Sequence, residues 1–362
     1  MDGWAGNWTG ILVAGGMFVK SIDGIVTIDE NYYLVEPRDA GHDTVSGQLA
    51  ALRLRARVYT CIRDFFTRRG VLEVETPILS RAGNSEPNIE SFCTRFKGPG
   101  IAGPAERWLR TSPEYALKRL LAAGIGDCYE LGRVFRNGEA GGRHNPEFTM
   151  LEWYRVGWDH RDLAEETVAL VREAGMLVSK KYDLYSVSYK ELFVSSLMLD
   201  PWCAPVDELR AALGATRIDP EGLERDDWLD LAFTHCIQPG FPRDRITVVH
   251  DWPASQCALA RVRPGDPPVA ERFELYLGPH ELANGYHELT DAAEQGERFA
   301  RDLERRRARG QVEPPLDEAM LAALRSGLPN CAGVALGIER LLMCLAGSDD
   351  IRDVLAFAFD EA

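Results

Sequence analysis

The sequence lacks the excess of positive charge that most nucleic-acid-binding proteins carry. Its 362 residues include 41 Lys and Arg against 56 Asp and Glu, which gives a formal net charge of −15. A protein that contacts many phosphates of a nucleic acid usually carries a basic excess. We therefore expect an anionic partner to meet a local basic patch, not the protein surface as a whole.

Paired cysteines are also missing. No two of the eight cysteines stand at the CxxC spacing, which excludes both the zinc ribbon and the redox-active dithiol. Scattered cysteines in apolar surroundings are typical of buried free thiols. The sequence therefore predicts reduced cysteines and a reducing compartment.

Long apolar runs are absent as well. No segment approaches the roughly 18 apolar residues of a membrane span. The apolar stretch 11–19 follows Asp2 instead of basic residues, and Lys20 stands where a signal peptide would be cleaved. We predict a cytoplasmic protein without a membrane partner.

The pattern of strands favours an antiparallel sheet. The predicted strands 128–136 and 148–154 are joined by a polar loop of about a dozen residues, which is typical of an antiparallel pair. No strand–helix–strand alternation occurs, and Gly333 and Gly337 fit neither GxGxxG nor the P-loop. We predict the α+β class, with an antiparallel β-sheet flanked by helices.

Residues 1–48 differ from the rest of the chain. They are Gly-rich and lack helical periodicity, whereas a long predicted helix begins near Gln48. They are too short for a five-stranded nucleic-acid-binding barrel. We predict an N-terminal extension of unknown role over 1–48 and one domain over 49–362.

Two glutamates flank a turn signal. Glu281 and Glu288 lie on either side of Asn284-Gly285, and a two-residue hairpin there would pair them directly. Facing carboxylates repel each other unless a cation lies between them, and Mg²⁺ prefers carboxylate oxygens. The alternative is a hairpin with two solvated carboxylates.

Other charged residues stand near predicted strand ends. Arg136 ends a strand and Arg340 follows glycines at a strand–helix junction, so each could clamp a phosphate or serve a structural ion pair. Glu114, Glu152 and Tyr154 together could hold a substrate ammonium. Taken singly, none of these residues decides a function.

One predicted helix is rich in arginine. Residues 297–309 contain six arginines, which could dock an acidic partner. The alternative is a solvated face whose arginines pair with Glu297 and Glu304.

Taken together, these segments resemble the class II aminoacyl-tRNA synthetases. The three motifs of that family occur in order, at the segment ending at Pro77, at 135–148 and from Gly333 onward. The local sequence is most similar to the lysyl branch of this family in residues 111–121, 135–154 and 281–299. The resemblance covers about residues 50–362, so the predicted domain 49–362 is similar to that catalytic core.

Within the lysyl branch, the chain most resembles the elongation factor P–(R)-β-lysine ligase family. Residues 1–48 cannot supply the anticodon-binding barrel of lysyl-tRNA synthetase. Ser112 stands where that synthetase typically has Ala, and Ala335 where it typically has Gly. Such changes reshape an amino-acid pocket by roughly 1–3 kcal/mol. Residues 251–256 also resemble the ligase family.

This resemblance implies a ligase that uses ATP and Mg²⁺. It implies that (R)-β-lysine, or lysine, is activated to an aminoacyl-adenylate and transferred to a lysine ε-amino group of elongation factor P. It also implies a homodimer, and tRNA is not an expected partner. The rival readings are a truncated lysyl-tRNA synthetase and a class II-like ligase for a small-molecule acceptor.

The resemblance also assigns roles to residues. It implies Arg136 and Arg340 as catalytic phosphate clamps, and Glu281 and Glu288 as Mg²⁺ ligands. The implied ATP-binding residues are Arg136, Asn137, Gly138, His144, Asn145, Phe148, Glu281, Leu282, Gly337 and Arg340. The implied substrate-binding residues are Ser112, Pro113, Glu114, Glu152, Tyr154, Glu288 and Ala335.

One position departs from the family pattern. Many relatives have Arg-Asn-Glu where this chain has Arg136-Asn137-Gly138, with Glu139 one place later. In those relatives this glutamate contacts adenine. In this chain the backbone of Gly138 or the shifted Glu139 would make that contact instead.

Overall fold

A computed structural model describes residues 8–13, 17–22, 25–28, 44–99, 103–214, 216, 218–220 and 222–362. The helices in these segments are α1 (Thr44–Thr67), α2 (Glu114–Ala122), α3 (His160–Met176), α4 (Tyr189–Leu197), α5 (Val206–Ala212), α6 (Arg225–Ala232), α7 (Ala292–Ala308), α8 (Glu318–Gly327) and α9 (Ile338–Ala346). None of these helices is long and apolar enough to traverse a lipid bilayer.

The strands in the same segments form three sheets. Their bounds are β1 (Trp8–Val13), β2 (Met17–Ile22), β3 (Ile25–Ile28), β4 (Leu72–Glu73), β5 (Leu79–Ser80), β6 (Cys93–Arg95), β7 (Glu106–Leu109), β8 (Cys128–Phe135), β9 (Glu147–Val156), β10 (Asp183–Ser188), β11 (Arg245–Pro253), β12 (Val262–Arg263), β13 (Val269–Leu277), β14 (His280–His287) and β15 (Cys331–Gly337).

The largest sheet has nine strands and dominates the fold. Its strand order is β10-β11-β13-β14-β15-β9-β8-β4, with β12 paired to β13. The pairs from β11 to β8 are antiparallel, whereas the edge pairs β10–β11 and β4–β8 are parallel. The predicted α+β class and the antiparallel sheet flanked by helices are confirmed, with parallel pairing added at both edges.

Helices α1, α3 and α9 cover one face of this sheet. Alternate residues of a strand point to opposite faces, and Leu151 and Trp153 of β9 join the core beneath these helices. Phe66 of α1 stacks on Tyr129 of β8 with ring centroids 4.4 Å apart. Burial of such a side chain contributes about 1.5–3 kcal/mol, so this face is committed to stability.

Residues 180–245, which the sequence left undefined, form a second core beside β11 and β13. Tyr189 and Phe193 of α4 pack with Phe233 and with Trp252 of β11. Phe233 begins a short π-helix that follows α6. This aromatic cluster holds α6 against one end of the large sheet.

Two sequence predictions need adjustment. The helix predicted to begin near Gln48 begins at Thr44, and Gly70 at φ +68° follows it. All eight cysteines are free, but Cys93 and Cys203 are exposed, not buried. Inside the predicted extension 1–48, β1, β2 and β3 form a separate antiparallel sheet.

The predicted hairpin at Asn284-Gly285 is wrong. Both residues lie inside the continuous strand β14, where Asn284 pairs with Glu274 on one side and Ala335 on the other. A Cβ at Gly285 would collide with the ring of Phe273. The glycine therefore permits close packing on the core, and Glu281 pairs with Tyr276 instead of Glu288.

Candidate active site

A cleft of about 1590 Å³ lies on the face of the large sheet that α1 and α3 leave uncovered. Its floor consists of the strand residues that alternate with the core residues: Glu152 and Tyr154 line it, whereas Leu151 and Trp153 do not. All the predicted site residues except Asn137 and Gly138 line this cleft. The antiparallel sheet thus brings site residues that are far apart in the sequence, from Ser112 to Arg340, into one cleft.

One wall combines a guanidinium with an aromatic ring. The Arg136 guanidinium carbon lies 5.3 Å from the centre of the Phe148 ring, because β8 and β9 are paired in register here. Gly138 turns the chain at φ +89°, and the buried Glu139 carboxylate lies 3.7 Å from Arg136. Glu139, and not Gly138, therefore lines the cleft.

A second guanidinium lies at the start of α9. Arg340 Nη1 donates a hydrogen bond to the Glu281 carbonyl oxygen at 3.1 Å, and Nη2 lies 2.5 Å from His144 Nε2. Burial and the charges of Arg340 and Arg136 hold the pKa of His144 well below its ordinary value. His144 is therefore neutral at pH 7 and accepts a hydrogen bond from Arg340.

Two carboxylates come from the neighbouring strands β13 and β14. Glu274 is buried and receives hydrogen bonds from Arg272 and Tyr276. Burial raises the pKa of Glu274 to about 7, Arg272 opposes this rise, and the negative charge of Glu281 adds to it. The carboxylate that faces Glu281 is therefore Glu274, which sequence analysis missed.

The far end of the cleft is rich in carboxylates. Ser112 Oγ donates to Glu152 Oε2 at 2.6 Å and accepts from the Glu114 backbone N–H at 2.9 Å. The Tyr154 hydroxyl donates to Glu152 Oε1 at 2.8 Å. Ser112 thus links the carboxylate of Glu152 to the backbone of Glu114, the two residues that the sequence predicted for a substrate amine. We call Glu114, Glu152 and Glu288 the amine pocket.

Burial controls the protonation of this pocket. It raises the pKa of Glu152 to about 8, the charge of Glu114 raises it further, and the bonds from Ser112 and Tyr154 oppose the rise. Burial also raises the pKa of Glu288 to about 7, opposed by the ammonium of Lys118. Glu152 is therefore largely protonated at pH 7 while the pocket is empty.

Small residues leave room above the pocket. A Cβ at Gly333 would collide with the Tyr154 ring and lie 2.5 Å from Glu288 Oε1. Ala335 is paired with Glu152 on one side and with Asn284 on the other. Any larger side chain at these two positions of β15 would fill the space beside the carboxylates.

The arginine-rich helix α7 divides its arginines between two roles. Arg298 and Arg306 are buried and donate to backbone carbonyls, Arg306 to those of Ser85, Glu86, Ile89 and Val312. Arg301 and Arg305, one helical turn apart, line the cleft, as does Arg309 directly after the helix. Neither sequence alternative describes the whole helix, since part of it is structural.

Comparison with known proteins agrees with this architecture. The family model "tRNA synthetases class II (D, K and N)" matches residues 44–361. The chain belongs to this family.

Curated relatives narrow the comparison. The chain is similar to the elongation factor P–(R)-β-lysine ligase of Vibrio cholerae serotype O1, with 46% identity over 88% of this chain and 98% of the relative. The same name and identity apply to a protein of Klebsiella pneumoniae, over 88% and 97%. A protein of that name from Pectobacterium atrosepticum is 44% identical over 88% of this chain and 97% of its own length.

Membership of the class II family matches the strand pattern of the sheet. The segment ending at Pro77, the β8–β9 pair and the β15–α9 junction are the places where the family's three motifs were predicted. Here the β8–β9 loop and α9 supply Arg136, His144 and Arg340 to one cleft. The resemblance found in the sequence is confirmed at the level of family and fold.

Sequence reasoning missed two charged residues of the cleft region. Lys118 lies four residues after Glu114 on α2, a spacing that places both on one helical face, and it contacts Glu114 and Glu288. Glu274 shares a strand face with Arg272 and Tyr276. The helical spacing could have indicated Lys118, but the partner of Glu281 depends on strand pairing that the sequence does not display.

Proposed function

We propose that this protein activates (R)-β-lysine, or lysine, with ATP and transfers it to the ε-amino group of a lysine of translation elongation factor P. The observation that carries the proposal is the amine pocket, which shares one cleft with Arg136 and Arg340. Three carboxylates suit a substrate with two ammonium groups, and a guanidinium suits its carboxylate. The names of the curated relatives supply the acceptor.

In this proposal, ATP occupies the wall between Arg136 and Arg340. Phe148 stacks on the adenine ring, and Glu139 takes the place of the glutamate that other relatives have one residue earlier. Arg136 binds the α-phosphate and the substrate carboxylate, whereas Arg340 binds the γ-phosphate. Neutral His144 orients Arg340 without adding a competing charge.

A magnesium ion fits two carboxylates that lie near Arg340 in the cleft. Glu281 lines the cleft beside Arg340, and Glu274 faces it from β13. Facing carboxylates of this kind are the donors that Mg²⁺ prefers, and the ion would neutralise phosphate charge during nucleotidyl transfer. We therefore assign Glu281 and Glu274 to the metal and keep Glu288 for the substrate amine.

In the proposed reaction the enzyme positions the reactants and forms no covalent intermediate with them. The substrate carboxylate attacks the α-phosphorus of ATP, a new P–O bond forms, and pyrophosphate leaves. The acceptor amine, in its neutral form, attacks the carbonyl carbon of the adenylate. The C–N bond forms, the C–O bond to AMP breaks, and the amine loses a proton to solvent.

A mass measurement on the acceptor tests the proposal. Purified enzyme, ATP, Mg²⁺ and (R)-β-lysine are incubated with elongation factor P, and the intact factor is weighed by mass spectrometry. We expect a shift by the mass of the substrate minus one water. An R136A variant should give no shift, while R307A should behave as wild type, because Arg307 pairs with Glu313 outside the cleft.

The rival functions predict different products. A truncated lysyl-tRNA synthetase would acylate tRNA and leave the factor unchanged. A ligase for a small acceptor would consume ATP when given the substrate and a small amine such as ammonia, and it would release a new amide and AMP. Either result, with an unmodified factor, would refute the proposed acceptor while leaving the family assignment intact.

We also propose that the enzyme is a cytoplasmic homodimer. The eight free cysteines suit a reducing compartment. Near α1 and β4, the apolar residues Leu72, Ile78 and Leu79 are 50%, 39% and 50% exposed, as expected of a face covered by a second copy. Light scattering of wild type and L79E separates dimer from monomer.

A further inference from the structure

Lys118 is a buried lysine that the reaction outlined above does not use. Its side chain is 1% exposed, and its Nζ lies 2.5 Å from Glu114 Oε1 and 2.6 Å from Glu288 Oε2. A buried ammonium costs several kcal/mol unless it is paired. Lys118 therefore exists in this core only because two carboxylates of the amine pocket surround it.

Among the described residues beside Lys118 and the amine pocket, the thiol and phenol groups carry no charge at neutral pH. Burial raises the pKa of the Cys331 thiol on β15 and of the Tyr115 phenol on α2 above their ordinary values. Burial also raises the pKa of Tyr154 on β9. The charge balance of the region is consequently set by Lys118 and the three pocket carboxylates.

That balance matches the substrate. With all three carboxylates ionised, one ammonium from Lys118 leaves two negative charges in the pocket. A diamino acid brings two ammonium groups, and its carboxylate is taken by Arg136 under the proposed function. Without Lys118, no ammonium would offset the charges of Glu114 and Glu288, so the pocket would hold more protons before binding and a diamino acid would have to displace them.

We propose that Lys118 is a positioning residue that sets the charge of the amine pocket, so that the pocket neutralises the two ammonium groups of a diamino acid. This inference rests on the proposed function. Through its two contacts, the Lys118 ammonium offsets the charges of Glu114 and Glu288 and opposes protonation of Glu288. Glu152 carries the remaining proton of the empty pocket and releases it when a substrate ammonium binds.

Proton release during binding tests this inference. The heat of lysine binding, measured by titration calorimetry in two buffers of different ionisation enthalpy, gives the number of protons released. For wild type near pH 7 we expect between one and two protons, mainly from Glu152 and partly from Glu288. For K118M we expect a larger number, since the Lys118 ammonium would no longer oppose protonation of Glu288 before binding.

The affinity should show the same difference. For each additional proton released on binding, the dissociation constant falls by up to about a further tenfold per unit rise in pH. K118M should therefore bind lysine about tenfold or more weakly than wild type at pH 7 and approach it as the pH rises. The matched control is K190M, which removes another paired lysine, the exposed partner of Asp200 on α4; it should leave proton release unchanged.

A double variant separates this role from simple support of the fold. K118M/E288Q returns the pocket to two negative charges, so proton release should fall below the K118M number to about one proton from Glu152, although affinity is lower. The double variant also replaces K118M if the single variant fails to fold. The role of Lys118 alone would be overturned if wild type and K118M released the same number of protons, or if the double variant released as many as K118M. Absence of lysine and β-lysine binding by wild type would overturn the proposed function and this inference together.

Discussion

Gly333 and Tyr154 lie on paired strands, and the glycine leaves no room for a Cβ beside the tyrosine ring. A Cβ at this position would also lie 2.5 Å from Glu288 Oε1. We predict that G333A displaces the Tyr154 ring or the Glu288 carboxylate and weakens lysine binding by at least tenfold, or about 1.4 kcal/mol. Equilibrium binding of lysine, with ATP binding measured in parallel, tests this.

The control for this prediction is another glycine-to-alanine change. Gly296 lies in α7 with open space where a Cβ would be placed, and alanine favours helix by up to about 1 kcal/mol. G296A should bind lysine as wild type does. If G333A retained wild-type lysine affinity, the position of the substrate beside β15 would be wrong.

The alternation of apolar residues sufficed to predict much of the fold. The strands β8 and β9 and the β15–α9 junction all lie close to where the sequence pattern placed them. Local spacing succeeds here because each element buries one face against the same core. It failed at Asn284-Gly285, where a turn signal serves close packing against Phe273.

The site was less accessible to sequence reasoning than the fold. The resemblance placed Arg136, Glu152 and Arg340, which the structure collects in one cleft. The partner of Glu281 could not be found in this way, because it is set by the register between β13 and β14 and by the irregularity near Leu275. A single residue of slip changes which carboxylates share a face.

The empty amine pocket should make stability depend on pH. Glu152 has a pKa of about 8 in the folded protein, against about 4.3 for a glutamate in an unfolded chain. The folded state thus holds a proton that the unfolded state has lost between these values, so the free energy of unfolding falls as pH rises through that range. Glu288 and Glu274, each near 7, act in the same direction.

We therefore expect the free energy of unfolding without ligand to fall between about pH 5 and pH 8, by at most about 1.4 kcal/mol per pH unit for each group, and the melting temperature to fall with it. E152Q should flatten this slope, since glutamine carries no titrating proton. Thermal unfolding followed by circular dichroism measures both. A wild-type slope that E152Q does not change would contradict the raised pKa of Glu152.

Arg340 should be essential to activation but not to folding. Its side chain is 28% exposed, and its bonds to Glu281 and His144 lie in the cleft, not in the core. We predict that R340A abolishes ATP–pyrophosphate exchange, with a loss of at least 100-fold, because a charge on the leaving phosphates is left without a partner. Unfolding in urea should show little change, and near-normal exchange would refute the assigned role.

The arginines of α7 offer the test of how the acceptor docks. Arg301 is exposed, lines the cleft and makes no hydrogen bond or ion pair with the residues that the structure describes. An unpaired guanidinium at the cleft wall suits an acidic surface of the acceptor, and charge of this kind acts mainly on the association rate. We predict that R301E lowers kcat/KM for elongation factor P several-fold while pyrophosphate exchange stays at the wild-type rate.

R307E is the matched control for this experiment. Arg307 lies on the same helix and is exposed, but it pairs with Glu313 away from the cleft, and its substitution changes the net charge by the same amount. If both variants slowed transfer equally, overall charge would explain the effect and Arg301 would have no specific docking role. Ions largely screen the interaction of exposed charges that lie more than about 10 Å apart at 0.1 M salt. A loss of kcat/KM that occurs only with R301E and becomes smaller as the salt concentration rises would therefore place the acceptor against the cleft-facing side of α7.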